Sequence, residues 1–377
     1  MKVLVTGGAG FIGSHTVDLL LARGHEVRVM DSLQQRVHPR GKPDYVPAEV
    51  EFVHGDVTVR PDLERALTGV EAVMHLAAYQ DYQPDFSRFV HTNTESMASI
   101  FELVVGDPQR YPMRRIVHAS SQAVSGEGKY SCDCTGERTY FHPGPRPLEQ
   151  LERGDWEIHC PRCGRPARDE LIDEDTCVHA HTTYGISKYA AELLAANLGT
   201  RYGIETAGMR YTYVQGPRNS IFNPYSGIAR RFALQVRAGI RPTCYEDARQ
   251  RRDYVNVYDA ARANVAVLEA PGVHGLAFNV GGGRAVTVEE FAWMMIRAHG
   301  SDLEPEVTGQ FRVGDTRHTV SDISRIRSLG WEPSYNTEQS IEQFLAWVDT
   351  QPDATANLRE AEQAMRAQGV VRNARAT

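Results

Sequence analysis

The sequence contains no apolar run approaching the length needed to cross a bilayer. It has no excess of positive charge either: 41 Lys and Arg stand against 48 Asp and Glu, a formal net charge of −7. The first absence excludes a membrane span, and the second argues against a nucleic-acid or membrane-surface protein, which would need a cationic face. No internal repeat is visible. Cysteine is sparse, with 6 in 377 residues. The chain opens on an apolar stretch, as a secretory signal would, but Gly7, Gly8, Gly10 and Gly13 interrupt it, so a cytoplasmic location is expected. What remains is a chain with 41% hydrophobic residues, enough to bury one large α/β unit with a smaller lobe.

Residues 6 to 13 read Thr-Gly-Gly-Ala-Gly-Phe-Ile-Gly, directly after the apolar run Val3-Leu4-Val5, and a second apolar stretch, Val27 to Met30, ends at Asp31. Strand, glycine-rich turn, helix, and a second strand closing on a carboxylate are the parts of a dinucleotide site. Gly7 permits the sharp turn, Gly10 permits close approach of a pyrophosphate, and Gly13 lets the helix pack on the sheet. The pyrophosphate would rest on the free N–H groups of the helix start, at Phe11 and Ile12. Asp31, with Ser32 beside it, is placed to accept from the adenosine ribose hydroxyls and to repel a 2′-phosphate, so NAD is expected over NADP.

Far downstream, Tyr184 and Lys188 lie four apart in a helical pattern and so share a face, where the ammonium can make the phenol a usable acid/base. Alone this would read as a surface helix with an aromatic and a lysine. Upstream, however, Arg115 to Ser121 looks like a strand ending in two hydroxyls, Ser120 and Ser121.

With these residues in place the chain resembles the extended short-chain dehydrogenase/reductase family, and within it the nucleotide-sugar epimerases and dehydratases. The resemblance rests on Thr6 to Gly13, Gly55-Asp56-Val57, His75-Leu76-Ala77-Ala78, Asn93, Ser120-Ser121, Tyr184 with Lys188, and Arg210-Tyr211. It continues through Gly216-Pro217-Arg218, Asn223 to Gly227, Arg252 to Val255 and Arg312 to Asp315. It implies that Asp56 and Val57 hold the adenine, and that Leu76, Ala77, Ala78, Asn93 and Tyr211 line the cofactor. Lys188 would hold the nicotinamide ribose. Ser121, Gln122, Tyr213 and Asn223 would meet the sugar, and Arg252, Arg312 and Asp315 its nucleotide diphosphate. It also implies a homodimer paired through Asn93 to Gly106 and Tyr184 to Tyr202.

Strands are predicted near 2 to 6, 26 to 30, 51 to 54, 72 to 75, 114 to 119 and 205 to 210, separated by helical patterns, which is the signature of a Rossmann-type doubly wound parallel sheet. Residues 1–210 would form the NAD-binding domain. Residues 211–350 would form mostly a substrate lobe, with some segments returning to the core, and 351–377 an Ala-, Glu- and Arg-rich tail, read as a helix with frayed ends.

The stretch between Ser121 and Tyr184 is longer than the family needs, and the excess, residues 128–175, contains Cys132-Asp-Cys134 and Cys160-Pro-Arg-Cys163-Gly164. Two such pairs can bring four thiolates to one tetrahedral structural zinc. A disulfide, a redox pair or unrelated thiols are the competing readings, each disfavoured in a cytosolic enzyme whose Cys-x-x-Cys does not open a thioredoxin-like helix. Cys177 and Cys244 read as ordinary thiols, and His142, His159, His179 and His181 as polar loop residues. The many carboxylates among the insertion's arginines leave no clean basic face for nucleic acid.

The residues directly after Ser121 select the reaction. Dehydratase relatives carry an Asp-Glu pair directly after this hydroxyl and decarboxylating relatives a glutamate two residues on, whereas here stand Gln122 and Ala123. An epimerase needs no such carboxylate, because the keto-sugar only turns over and takes its hydride back. The expectation is an NAD-dependent epimerase of a nucleoside-diphosphate hexose, acting at C4. The alternatives are a dehydratase or ketoreductase on a nucleotide sugar, and a non-catalytic NAD-binding scaffold. Ser125, Tyr213 and Glu246-Asp247-Ala248 depart from the usual epimerase pattern, the last replacing a Gly-Asp-Gly turn, and suggest an unusual sugar.

Overall fold

A computed structural model of the protein describes residues 1–81, 83–223, 227–355, 358 and 369–374. Seven parallel strands form the central sheet, in the order Leu276–Val280, Glu205–Tyr211, Arg115–Ala119, Ala72–His75, Lys2–Thr6, Glu26–Asp31, Glu51–His54. Strands covered on both faces need continuous apolar runs rather than alternation, and Val3, Leu4, Val5, Val73 and Met74 are accordingly buried. The chain builds outward one way from Lys2–Thr6 and then the other way from Ala72–His75, so the order reverses between these two strands, where such sheets open a crevice for ligand.

Six of the seven strands fall where the sequence placed them. The seventh, Leu276–Val280, pairs with Glu205–Tyr211 and comes from the second half of the chain. Helix Val257–Glu269 also returns to the sheet, docking on helix Phe11–Ala22 with Asn264 Nδ2 donating to Thr16 Oγ1 at 2.9 Å. The smaller lobe has its own core, in which Phe232, Phe291, Ile341 and Phe344 pack between helices Gly227–Arg237, Val288–Ala298 and Thr337–Val348.

The insertion folds as an antiparallel sheet in the order Thr139–Phe141, Lys129–Cys132, Arg168–Glu170, with the short helix Leu148–Glu152 between its strands in the chain. The helix expected in the tail lies largely outside the described residues. The part of the tail that is described ends in a strand instead: Val371–Asn373 pairs antiparallel with Gln310–Arg312, the segment that carries Arg312. No helix among the described residues is long and apolar enough to cross a membrane.

Candidate active site

The glycine turn sits at the reversal point. Gly7 has φ +69, and a Cβ there would lie 2.8 Å from the Ala77 nitrogen; a Cβ on Gly13 would overlap the Gly7 carbonyl. These contacts require glycine, because the loops leaving the first and fourth strands touch here. Helix Phe11–Ala22 begins at Gly10 without a side-chain cap, leaving its first N–H groups, at Phe11 and Ile12, for an anion. Gly7, Gly10, Asp31, Ser32, Asp56, Val57, Leu76, Ala77 and Ala78 line one cleft, together with Gln34, His38 and Thr92, which sequence reasoning did not single out. Asp31 is fixed by two N–H donors, Ala9 to Oδ2 at 3.0 Å and Leu33 to Oδ1 at 2.9 Å. Each oxygen keeps a lone pair for a ribose hydroxyl. The groove, the uncapped helix end and the held carboxylate fit NAD.

Two residues expected at the cofactor are engaged elsewhere. Asn93, in a π-helical turn at His91–Glu95, gives its amide to the Tyr79 carbonyl and Ser187 Oγ and accepts from the Tyr79 N–H at 2.7 Å, so it ties the Tyr79 loop to helix Thr183–Tyr202. Tyr211 directs its hydroxyl into the core, to Asn264 Oδ1.

Helix Thr183–Tyr202 starts where Thr182 Oγ1 accepts from the Gly185 N–H, and ends at Gly203 in the left-handed region. Tyr184 and Lys188 therefore occupy successive turns beside the end of strand Arg115–Ala119. Ser121 caps the next turn, its Oγ accepting from the Ala123 N–H at 3.1 Å, and its hydroxyl acts on the Tyr184 phenol to lower its pKa. Lys188 Nζ donates to the Ala119 carbonyl at 3.0 Å and lies 5.9 Å from the centre of the Tyr184 ring. Burial pushes the Tyr184 phenol up to about 12, against the Ser121 hydroxyl, and pushes the Lys188 ammonium down to about 7. Glu192, Arg210 and Ser120 form a buried network behind them, with Ser120 Oγ donating to Glu192 Oε2 at 2.7 Å and Arg210 Nε to the same oxygen at 3.1 Å.

Arg312 pairs with Asp315 at 3.1 Å and lies over the Tyr245 ring. The Arg252 guanidinium stacks on Tyr213 at 5.3 Å and donates to the carbonyls of Thr316 at 2.7 Å and Arg317 at 2.8 Å. It therefore holds the segment immediately beyond the Arg312–Asp315 pair. Gln122 is buried and its amide donates to Ser321 Oγ at 3.0 Å. Asn223 is half-buried; 224–226 of its motif lie outside the described residues.

The four cysteines converge. Sγ of Cys132 lies 3.8 Å from that of Cys163, Cys134 and Cys160 show the same separation, and all four sulfurs lie within 4.8 Å of one another. A tetrahedron with Zn–S bonds of about 2.3 Å has sulfur–sulfur edges of about 3.8 Å, whereas a disulfide would need about 2.05 Å. N–H groups of Arg162 and Cys163 point at Cys160, and the Arg165 backbone and side chain point at Cys163, pushing both thiols down, Cys163 to about 6. His159 braces the turn rather than joining it, bonded to the Gly164 carbonyl at 2.7 Å and Asp155 at 2.9 Å. The donor set fits a tetrahedral thiolate metal, and it is the only cluster of this kind among the described residues.

The sequence reasoning missed Glu127, Arg146, Glu157 and Arg317, whose side chains meet around Glu246 between insertion and lobe. The signal was Glu246 itself, a departure from the usual pattern. Glu246 and Ala248 have φ of 53 and 62, the left-handed backbone that glycines would adopt freely. Glu246 is held there because its carboxylate takes Arg146 at 2.9 Å and Arg317 at 3.0 Å.

Comparison with known proteins agrees with this geometry. Residues 3–146 and 161–281 match the NAD dependent epimerase/dehydratase family, and the match breaks inside the insertion. The dTDP-L-rhamnose 4-epimerase of Burkholderia thailandensis is 32% identical over 361 residues, 93% of this chain and 96% of that protein. Among solved structures, the UDP-glucose 4-epimerase of Thermotoga maritima with UDP-glucose aligns with a TM-score of 0.73 at 27% identity, over 93% of this chain and 99% of that one. The UDP-glucose 4-epimerase of Thermus thermophilus in complex with NAD aligns at 0.70, also 27% identical, over 93% and 100%. A nucleotide cleft, a Ser-Tyr-Lys set and a match over most of the chain lead to one conclusion: the protein belongs to the NAD dependent epimerase/dehydratase family.

Proposed function

We propose that this enzyme inverts one hydroxyl-bearing carbon, C4, of a nucleoside-diphosphate hexose through a transient keto-sugar. The observation that carries it is the set Ser121, Tyr184 and Lys188 gathered at the end of strand Arg115–Ala119, with a buried amide and an alanine next in the chain where a dehydratase would need acids. The next carboxylate along the chain, Glu127, is engaged by Arg146 and by the Arg317 N–H.

NAD⁺, held by the glycine turn and Asp31, would supply the hydride acceptor and donor for the carbinol carbon, and its charge would favour the phenolate. The chain does the rest. Tyr184 Oη takes the hydroxyl proton as hydride leaves and gives it back when hydride returns. Ser121 is held in place by the Ala123 N–H, and its hydroxyl can turn to donate to the sugar oxygen as it becomes a carbonyl. Lys188, fixed by the Ala119 carbonyl, would hold the nicotinamide ribose and, when protonated, favour the phenolate. Arg312 and Arg252 supply the positive charge for the diphosphate. The 4-epimerase names of the relatives support the choice of C4.

A panel of UDP- and dTDP-hexoses incubated with the enzyme in deuterated water and read by NMR tests this. Inversion at one carbon without deuterium incorporation and without net NADH formation is expected; deuterium at a neighbouring carbon, or a dehydrated product, would refute it.

Two finer readings accompany it. Cys132, Cys134, Cys160 and Cys163 hold one structural Zn²⁺, a closed site with no open position for chemistry. A second copy of the chain covers helix Thr183–Tyr202, where Ile186 and Leu193 are 53% and 54% exposed; light scattering showing a monomer at micromolar concentration would count against this.

A further inference from the structure

The buried ion network between the insertion and the lobe does no work in the reaction above, yet it surrounds the segment that carries Arg312 and Asp315. Arg146, from the insertion, has a side chain 1% exposed. One of its nitrogens donates to Glu246 at 2.9 Å and to the Asp315 carbonyl at 2.9 Å; another donates to the Trp156 carbonyl at 3.0 Å; Nε meets Glu127 at 3.3 Å. Glu127 in turn accepts from the Arg317 N–H at 2.7 Å. The Arg317 side chain, fully buried, reaches Glu157 at 2.6 Å, Asp247 at 2.6 Å and Glu246 at 3.0 Å. Trp156 packs against Phe311, next to Arg312, with ring centres 6.0 Å apart.

Thus the carbonyl of Asp315 and the N–H of Arg317 are held from the insertion side, while Arg252 holds the carbonyls of Thr316 and Arg317 from the lobe. The same insertion segment runs from Trp156 and Glu157 into Cys160, which closes on Cys134. A metal here would join sulfurs from two distant turns of the insertion, so metal at this cluster fixes the segment that presents Glu157 and Trp156.

We propose that the metal-bearing insertion positions the Arg312–Asp315 arm for the substrate's nucleotide diphosphate, with Arg146 as the positioning residue, so that metal occupancy sets nucleotide affinity and leaves NAD affinity alone. This rests on the reading of Arg312 as a diphosphate ligand. Arg146 touches neither cofactor nor sugar in this scheme. It acts by joining Glu127, Glu246 and two backbone carbonyls, which only a guanidinium can do at once.

The test uses the full-length, NAD-loaded protein, titrated calorimetrically with UDP and with dTDP. Arg146→Lys keeps the charge but not the fork; it should weaken whichever nucleotide the unaltered protein binds by about tenfold. KM for the nucleotide sugar should rise in step, with kcat and NAD affinity unchanged. Should Arg146→Lys fail to fold, stripping the metal from the unaltered protein with a chelator and restoring it with Zn²⁺ must lower and then recover nucleotide affinity. Unchanged nucleotide affinity, or an equal fall in NAD affinity, overturns the proposal while leaving the epimerase reading intact. An unaltered protein that binds neither UDP nor dTDP overturns both.

Discussion

Tyr184→Phe separates catalysis from structure cleanly, because the two effects differ in size. The substitution deletes one oxygen from a half-buried ring whose contacts otherwise stay in place. Loss of a hydroxyl, at most one hydrogen bond, changes stability by about 1 kcal/mol. A small part of that is recovered, since the phenol no longer has to be held away from water. A general acid/base, by contrast, contributes about 10²- to 10⁴-fold in rate, or about 3 to 5 kcal/mol of activation free energy. The variant should therefore melt within a few degrees of the parent and bind NAD equally well. Its inversion rate, followed by NMR on the best sugar of the panel, should nevertheless drop by at least two orders of magnitude. Turnover within a few-fold of the parent, with the fold and NAD affinity verified, would show that Tyr184 does not carry the proton and would remove the mechanism.

Lys188 should leave a mark on stability as pH varies. Its ammonium is pushed from 10.5 down to about 7 by burial, so between those values the unfolded chain binds the extra proton and stability rises with pH. Melting of the protein without added cofactor should climb from pH 7 to 9, and Lys188→Met should flatten that slope; an identical slope in the variant would contradict the assignment. Asp31→Ala with Ser32→Arg should shift cofactor preference toward NADP. It should also lower the melting temperature, because the N–H groups of Ala9 and Leu33 lose their acceptor; unchanged preference on titration would mean that Asp31 is not at the ribose. Metal analysis of protein purified without chelator should give one zinc per chain, and Cys160→Ser should abolish it and loosen the insertion in hydrogen exchange while the glycine turn stays protected. Four freely titrating thiols with no metal would defeat the zinc reading.

The features legible in the sequence are those encoded locally. The glycine turn was readable because a left-handed φ at Gly7 and the close approach at Gly13 exclude a side chain. Six sheet strands were readable because a parallel sheet buried on both faces leaves unbroken apolar runs. The Tyr184–Lys188 pair follows from helical periodicity alone, and the two cysteine pairs from the reach of their turns. Beyond these, chain-distant pairing decided the outcome. Leu276–Val280 joins the sheet only because Glu205–Tyr211 offers an edge, and Val371–Asn373 becomes a strand only against Gln310–Arg312. Asn93 and Tyr211 carry family positions in the sequence, yet their polar atoms are claimed by Tyr79, Ser187 and Asn264, partners that no local pattern indicates. Arg146 looks like one of many arginines in a polar loop until folding brings Glu127, Glu246 and the Asp315 carbonyl around it. A buried charge is tolerable only when several distant groups converge on it, and that convergence belongs to the tertiary structure.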